Sequence, residues 1–318
     1  MAMAGKQIMS EMRKAVDEYL ALRRSLGFRF LFHEYMLHDF VSYFEKQRLP
    51  YITIRAALHW AKLPANAHPR HWANRLSKLR GFARHWSATD PRTEIPPLGL
   101  ISYRYDRRVP YIYTETQIAQ LVRAAKRLPS KTGLRPWTYS TLFGLIAVAG
   151  LRMSEGIDLN GEDVDWSRGV ITIRRTKFGK TRLIPVHPST LRNLRKYMRF
   201  RERIQCKLKT SSFFVSEHGD RLRRVAVGST FRKVSQEIGL RGKCASHGPR
   251  LHDLRHTLAV KTLMDWYRAG LNVEQQMPKL STYLGHTHVA DTYWYLSATP
   301  ELLSLASARL EHMRAERP

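Results

Sequence analysis

GVITIRRTKFGKTRLIPVH, residues 169–187, alternates apolar and polar residues on both sides of the tetrapeptide KFGK. Alternation with a period of two gives each arm one apolar face, and the glycine suits a tight turn, so the stretch predicts a β-hairpin. The surrounding chain shows mainly helical spacing. The sequence therefore predicts a mainly α fold with a small β-sheet, an α+β class.

Helical patterns lie on both sides of this hairpin. Before it, Thr114 and Gln117 have the spacing of a capping box at the start of QIAQLVRAAKRL, and a second helix is expected over residues 137–149. After it, Pro188 is placed to begin another helix, and FFVS, residues 213–216, predicts a short strand. The rest of the chain is predicted to be helical to its end.

A separate domain is expected at the N-terminal side. Residues 104–113, RYDRRVPYIY, interrupt the pattern with charges and a proline, and before them apolar residues recur at helical spacing, for example over residues 8–26, 54–63 and 71–86. A chain of 318 residues exceeds the size at which one core is efficient. We therefore predict an all-helical domain over residues 1–103, a linker at 104–113 and a second domain over residues 114–318.

The charge balance indicates the kind of partner. Lys and Arg number 54 against 26 Asp and Glu, which gives a formal net charge of +28, and the basic residues run through the whole length. Such a surplus is typical of a protein that binds a polyanion such as nucleic acid. A basic structural protein, or an enzyme that is merely soluble, is the alternative on this evidence.

Cysteines and apolar segments bear on location and cofactors. Cys206 and Cys244 are far apart and form no CxxC pair, which fits a reducing cytoplasm and offers no metal framework. The longest nearly apolar run, residues 142–151, is too short to span a bilayer, and the N-terminal residues lack a signal-peptide core. We therefore expect a soluble, cytoplasmic protein with no membrane partner.

Two basic residues are placed where a cation could meet a ligand. Lys177 begins the hairpin turn, from which its side chain can reach away from the domain, although surface hairpins carry lysines routinely. Arg152, in AGLRMSEG, follows an apolar helix, and Glu155 could hold its guanidinium at the edge of the core. A structural salt bridge explains Arg152 as well as a functional role does.

Histidines and a second arginine cluster further along the chain. In LHDLRHTLA, His252, Arg255 and His256 share roughly one face of a helix, because they are three and four residues apart. His286 follows Gly285, which is placed to end a helix and let the imidazole turn into a cleft. Each of these patterns alone is weak evidence for a site.

Two kinds of chemistry compete for these residues. The spacing of His252 and His256 is that of a zinc helix, but Asp253 stands where a metalloprotease has a glutamate, and Arg255 would repel the cation. Phosphodiester chemistry fits better, because two arginines and a lysine can neutralise the charge that builds on a pentacoordinate transition state. Such a site needs no metal, and its nucleophile could be a tyrosine.

Five motifs in a fixed order carry a resemblance to a known family. GLRMSE, TKFGKTR, LHDLRHTLA, LSTYLGH and TYWYL follow one another within residues 110–300. The set resembles the tyrosine recombinase, or phage integrase, family, in which the order is Arg, Lys, His-x-x-Arg, His or Trp, and Tyr. The catalytic positions that the resemblance implies are Arg152, Lys177, His252, Arg255, His286 and Tyr295.

The nucleophile must be chosen among three neighbouring tyrosines. Residues on a helix turn about 100° each, so Tyr293 and Tyr295 point to nearly opposite sides and cannot both enter one site. The family has a threonine three residues before its nucleophile, which matches Thr292 and Tyr295. Tyr283 and Tyr293 are then expected to be packing residues.

The resemblance implies a reaction on double-stranded DNA. Tyr295 would attack the scissile phosphate and leave a 3′-phosphotyrosyl link and a free 5′-hydroxyl. Lys177, or as the less favoured choice Lys180, would protonate the leaving oxygen. Neither a cofactor nor a metal is needed, because the covalent link stores the energy of the broken bond. The other roles implied are stabilisation of the phosphorane by Arg152, Arg255 and His286, and assistance in proton transfer by His252.

The resemblance also implies an assembly. The family has an N-terminal helical core-binding (SAM-like) domain, acts in the prokaryotic nucleoid and works as a tetramer on DNA. A helix over residues 299–315, with Thr299 and Pro300 at its start, would dock on a neighbouring protomer or fold back on its own domain. Its predicted apolar stripe consists of Leu302, Leu303, Ala306, Leu310 and Met313.

Alternatives to a recombinase stay open on the sequence. A type IB topoisomerase would use the same chemistry but rejoin the original strand. A non-catalytic DNA-binding protein on a recombinase scaffold and a zinc hydrolase are the others. Within the family, the ending DTYWYLSATPELL resembles recombinases of transposons and other mobile elements.

Overall fold

The computed structural model describes residues 2–27, 30–103, 109–174, 181–204, 209–245, 247–297 and 299–315. The chain divides into two units, Met1–Arg108 and Val109–Pro318. Both consist mainly of helices, and the second also contains a three-stranded sheet. The predicted fold class, mainly α with a small sheet, is confirmed.

Helices α1 (Ala2–Ser25), α2 (Leu31–Lys46), α3 (Ile54–Lys62) and α4 (Pro69–Trp86) build the first unit. Local sequence fixes two of the starts: Thr53 Oγ1 accepts a hydrogen bond from the backbone N–H of Ala56, and Pro69 lies in the first turn of α4. Phe40 and Trp60 are fully buried between the helices, with their rings edge to face at 5.2 Å. Tyr19, Phe44, Phe82 and Trp86 add further aromatic rings to the unit's core.

The second unit is built around helix α6. Its helices, in chain order, are α5 (Glu115–Ala125), α6 (Leu134–Ala149), α7 (Met153–Asp158), α8 (Pro188–Ile204), α9 (Arg224–Glu237), α10 (Leu251–Arg268), α11 (Val273–Leu284), α12 (Ala290–Tyr293) and α13 (Pro300–Ala315). The predicted capping box is present, with Thr114 and Gln117 each accepting the other's backbone N–H. Leu142, Phe143 and Ile146 of α6 are fully buried, because this apolar helix runs through the core. No helix in the described ranges is long and apolar enough to cross a membrane.

The sheet has the order β1-β2-β3, all antiparallel, with β1 Val164–Asp165, β2 Val170–Ile173 and β3 Arg182–Pro185. β2 and β3 are the arms of the predicted hairpin, and Ile171 pairs with Ile184, both fully buried. Leu183 points to solvent between two inward residues, Arg182 and Ile184. The hairpin thus aims the Arg182 side chain into the protein.

The predicted strand at residues 213–216 is wrong. Val215 forms only a single bridge, to Arg221, and the third strand is β1, which the sequence did not predict. Phe213 and Phe214 are both fully buried although they are adjacent, so the run has no solvent face. A continuous apolar run predicts burial but not, by itself, a strand.

Helix α13 lies against its own unit in this single chain. Thr299 Oγ1 accepts a hydrogen bond from Leu302 N, as expected of a capping residue, and Leu302 is fully buried in a cluster with residues of α10 and α11. Glu301 pairs with Arg268 of α10 at 2.7 Å. Leu303, the next residue of the predicted apolar stripe, is 49% exposed in this single chain, because one helical residue turns it about 100° away from Leu302.

Candidate active site

Glu155 fixes the position of Arg152. Arg152 lies at the start of α7, where Glu155 Oε2 accepts its backbone N–H at 2.8 Å and Oε1 accepts its Nη1 at 2.7 Å. Arg182 of β3 donates Nη1 and Nη2 to the same carboxylate, at 2.9 and 2.8 Å. Burial alone would raise the pKa of Glu155, but the hydrogen bonds and charge of Arg182, with Arg152, lower that pKa to about 2.

Arg255 is held by the ends of two helices. Its side chain is buried on α10, and Nη1 donates to Gly150 O, at the end of α6, at 2.8 Å. Nη2 donates to Leu284 O, at the end of α11. Arg152 Nη2 donates to the next carbonyl, Gly285 O, at 2.9 Å. Because helix C-termini carry partial negative charge, these contacts hold two guanidinium groups side by side.

Glycines make this close approach possible. Gly150 and Gly285 end α6 and α11 in the left-handed region, at φ 61° and 66°. A Cβ at Gly285 would lie 2.7 Å from Arg182 Nη1, and one at Gly150 would lie 2.8 Å from Leu258 Cδ2. A larger residue at either position would be strained and would displace the arginines' carbonyl partners.

Two histidines border the arginine pair. His286 Nδ1 lies 2.7 Å from Thr292 Oγ1, and the Thr292 side chain is buried. Burial and then the charges of Arg255 and Arg152 lower the His286 pKa to about 4. His252 is exposed at the rim, yet desolvation by the surrounding atoms, followed by the charge of Arg255, lowers its pKa to about 4 as well. Both rings are therefore neutral at pH 7.

Tyr295 completes the cluster. It lies in a short 3₁₀ segment, Trp294–Ser297, and is 2% exposed. Its hydroxyl oxygen is 3.0 Å from His256 Nδ1, and its ring lies at 6.1 Å from the His286 ring, nearly parallel to it. Tyr293, in contrast, is 42% exposed, so the two side chains do point in different directions as predicted.

Comparisons with known proteins identify the family. The profile described as the phage integrase family matches residues 112–301. The chain belongs to this family. It is 48% identical to the putative integrase/recombinase y4rB of Sinorhizobium fredii, over 97% of this chain and 100% of that protein. It is 30% identical to the tyrosine recombinase XerC of Thermodesulfovibrio yellowstonii, over 70% of this chain and 69% of that protein.

Solved structures share the fold of this tyrosine recombinase. The XerH site-specific recombinase, bound to palindromic difH substrate in a post-cleavage complex, matches with a TM-score of 0.65 at 16% identity, over 95% of this chain and 85% of that chain. The Tn1549 transposon integrase, in complex with transposon right end DNA, matches with a TM-score of 0.66 at 16% identity, over 94% and 99%.

The structure places most of the sequence-predicted site residues of this recombinase in one region. Lys177 and Lys180 lie outside the described residues, which resume at position 181. The residues brought together at the ends of α6 and α11 and along α10 are Arg152, His252, Arg255, His286 and Tyr295.

Two residues of this region, Arg182 and His256, were not assigned to the site from the sequence. Arg182 shares the Glu155 carboxylate and donates Nε to Tyr283 O at 2.9 Å. Its place in the alternating hairpin, two residues before Ile184, was a signal that it points inward. His256 was recognised as sharing the face of His252, but nothing in the spacing showed that it meets Tyr295, 39 residues later.

The zinc alternative has little support in the geometry. Asp253 holds Arg250 at 2.7 Å and accepts its backbone N–H, while His256 contacts the Tyr295 hydroxyl. Among the residues that the structure describes, no group of three or more His, Cys, Asp or Glu side chains could hold a metal ion.

Proposed function

We propose that this tyrosine recombinase is a site-specific DNA integrase or recombinase that cleaves duplex DNA through a 3′-phosphotyrosyl intermediate. The observation that carries the proposal is the position of Tyr295: its hydroxyl contacts His256, its ring faces the His286 ring, and it interacts electrostatically with the anchored Arg255. A tyrosine is a competent nucleophile toward a phosphodiester when surrounding cations neutralise the charge that develops.

The arginines bind the two non-bridging oxygens of the scissile phosphate. Arg152 and Arg255 already have part of their donors occupied by helix-end carbonyls, so their remaining N–H groups are held in fixed directions. His286 adds a neutral donor, and its Nδ1 contact with Thr292 orients the ring. Preorganised donors of this kind stabilise the phosphorane without rearranging during the reaction.

The reaction needs a general acid at the leaving oxygen. Lys177 is our first choice for that role and Lys180 the second, as the sequence resemblance implies. His252, at the rim of the site, assists proton transfer in the same step. The phosphotyrosyl ester conserves the energy of the broken bond, so a 5′-hydroxyl of a second duplex reverses the step, and two rounds of exchange pass through a four-way junction.

The first unit and α13 serve assembly on DNA. The first unit contributes a helical core-binding domain, and the net charge of +28 supports contact with the DNA backbone. We place the active form as a tetramer in which α13 can dock on a neighbouring protomer. A mobile element is the proposed source, supported by the likeness to proteins called integrase/recombinase and to a transposon integrase.

Mapping the joints tests this function. A duplex library with a randomised core is incubated with the protein, protein-linked DNA is recovered under denaturing conditions, and the recovered sequence is placed on two plasmids. The proposal predicts protein linked to a 3′ end, a free 5′-hydroxyl and new joints between the plasmids. Relaxation of supercoils without new joints would favour a topoisomerase, and binding without a covalent link would favour a non-catalytic protein.

A further inference from the structure

The Tyr295 hydroxyl lies in a chain of three polar side chains. Its oxygen is 3.0 Å from Nδ1 of His256, and the other ring nitrogen, Nε2, lies 4.0 Å from Asp253 Oδ1. Asp253 and His256 are three residues apart on α10, a spacing that places them on the same face. Both are shielded, with side-chain exposures of 3% and 12%.

We propose that His256 is the general base for Tyr295 and that Asp253 stabilises the imidazolium that results. This inference rests on the proposed function. As the P–Oη bond forms, the O–H bond of Tyr295 breaks and its proton moves to Nδ1 of His256. The P–O5′ bond breaks in the same displacement, and the leaving oxygen takes its proton from the general acid. In the rejoining step His256 returns the proton to the departing phenol.

Other groups near Tyr295 are less suited to take this proton. His286 has its Nδ1 engaged by Thr292, and burial, followed by the adjacent arginines, disfavours a positive charge on its ring. Desolvation, followed by the charge of Arg255, likewise disfavours a positive charge on the His252 ring. Glu155 is occupied by two arginines. His256 alone among these groups combines contact with the hydroxyl oxygen and a neighbouring carboxylate.

The Asp253 carboxylate also binds Arg250, and this second contact fixes its position beside His256. Arg250 donates Nη2 to Asp253 Oδ1 at 2.7 Å and its backbone N–H to Oδ2 at 2.8 Å. The carboxylate is therefore held in place by the start of α10, and its buried charge remains close enough to favour a proton on His256. At 4.0 Å the carboxylate makes no hydrogen bond to the ring, so its contribution to His256 is electrostatic.

A first experiment needs no DNA. Nitrogen-15 NMR of histidine-labelled protein at pH 7, with the His256 signal assigned by its loss in His256→Asn, reports which ring nitrogen carries the proton. The proposal expects Nε2–H, facing Asp253, and an unprotonated Nδ1 that accepts the Tyr295 hydroxyl. A proton on Nδ1 would overturn it, because that nitrogen would then donate to Tyr295. This arm is independent of whether the proposed function holds.

A second experiment measures single-turnover formation of the covalent complex on the duplex recovered by the wild-type protein. His256→Asn keeps an acceptor near the Nδ1 position but cannot take a proton, so the rate should fall about 10²-fold, within the range usual for a general base. His218→Asn, the same change in an exposed turn, should leave the rate unchanged. Thermal unfolding and DNA binding show whether each variant is folded.

Fluorinated tyrosine at position 295 separates proton transfer from packing. Fluorine lowers the phenol pKa, so less help from a base is needed, and cleavage by His256→Asn should rise at least fivefold, whereas Arg152→Ala should gain nothing. A His256→Asn rate within about threefold of the wild-type rate, or a slow variant that fluorination does not restore, would overturn the proposal. Absence of any wild-type adduct would instead count against the proposed function, and the NMR result would still decide the role of His256.

Discussion

Two buried arginines in this molecule have opposite surroundings. Arg75, in the first unit, lies 4.0 Å over the Trp60 ring and donates Nη2 to Asp39 at 2.8 Å. The carboxylate of Asp39 therefore neutralises its charge directly. Arg255, in the second unit, is more deeply buried and meets helix-end carbonyls. Within the described residues no carboxylate lies within ion-pair distance of Arg255.

From this difference we propose that Arg75 stabilises the fold, whereas Arg255 is held ready to bind an anionic ligand. Around Arg255, the single carboxylate of Glu155 serves Arg152 and Arg182, so three guanidinium groups share one negative charge. Burial and the charge of Arg152 lower the Arg255 pKa to about 10, which leaves it protonated at pH 7. An uncompensated buried charge is unfavourable, and in the proposed reaction the scissile phosphate relieves it.

The largest expected effect compares the two arginines directly. Arg255→Lys keeps the charge but cannot donate to both carbonyls while binding a phosphate oxygen, so the rate of covalent complex formation should fall about 10³-fold. Arg75→Lys should leave that rate within about threefold and lower the melting temperature instead. Equal losses of rate in the two variants, both still folded, would contradict the distinction.

Glu155 provides a pH test of the shared carboxylate. Its pKa is lowered from 4.5 to about 2 on folding, so its stabilisation is fully present above pH 4.5 and is lost as the pH falls toward 2. The shift corresponds to about 3 kcal/mol. Denaturant unfolding from pH 6 to pH 3 should show that Glu155→Gln is less stable than wild type at pH 6 and that the difference shrinks below pH 4.5. A constant difference would show that the carboxylate's charge is not what matters.

The proposed general acid, Lys177, is a third cation, and its role can be tested separately. Lys177→Ala should reduce cleavage about 10²-fold, and sulfur at the bridging 5′ position should restore it, because a thiolate leaves without a proton. The same sulfur should not restore Arg255→Lys, because the role proposed for Arg255 is at the non-bridging oxygens. Lys180→Ala is the matched control and should stay active on ordinary DNA. Rescue of Lys180→Ala but not of Lys177→Ala would mean that Lys180, and not Lys177, is the general acid.

The smallest effect extends the comparison from charge to apolar surface. Leu302 has its partners within the chain, whereas Leu303 is half exposed on the next position of α13. If α13 docks on a neighbour, Leu303→Glu should leave the melting temperature unchanged and weaken pairing of two DNA sites several-fold in a native gel assay. Unchanged pairing would mean that α13 only packs on its own unit.

Features that depend on residues close together in the sequence could be predicted, whereas contacts between distant segments could not. The hairpin, the capping box and the helix-ending Gly285 rest on local spacing, and each was predicted. Arg152, Arg255 and Tyr295 were assigned to the proposed site through ordered motifs, because the local pattern around each was weak evidence by itself. The contact of His256 with Tyr295 depends on how α10 packs against a segment 39 residues away, which no local pattern contains. The prediction of a strand at 213–216 was wrong because a buried loop and a buried strand can have the same run of apolar residues.

Substitution of Tyr295 tests the central claim most directly. Tyr295→Phe keeps the ring in its buried place and removes only the oxygen, so the variant should bind the recovered duplex as wild type does and form no covalent complex under denaturing conditions. Tyr293→Phe, which alters an exposed ring two residues earlier, should form the complex at the wild-type rate. A covalent complex with Tyr295→Phe, or its loss in Tyr293→Phe alone, would contradict the account.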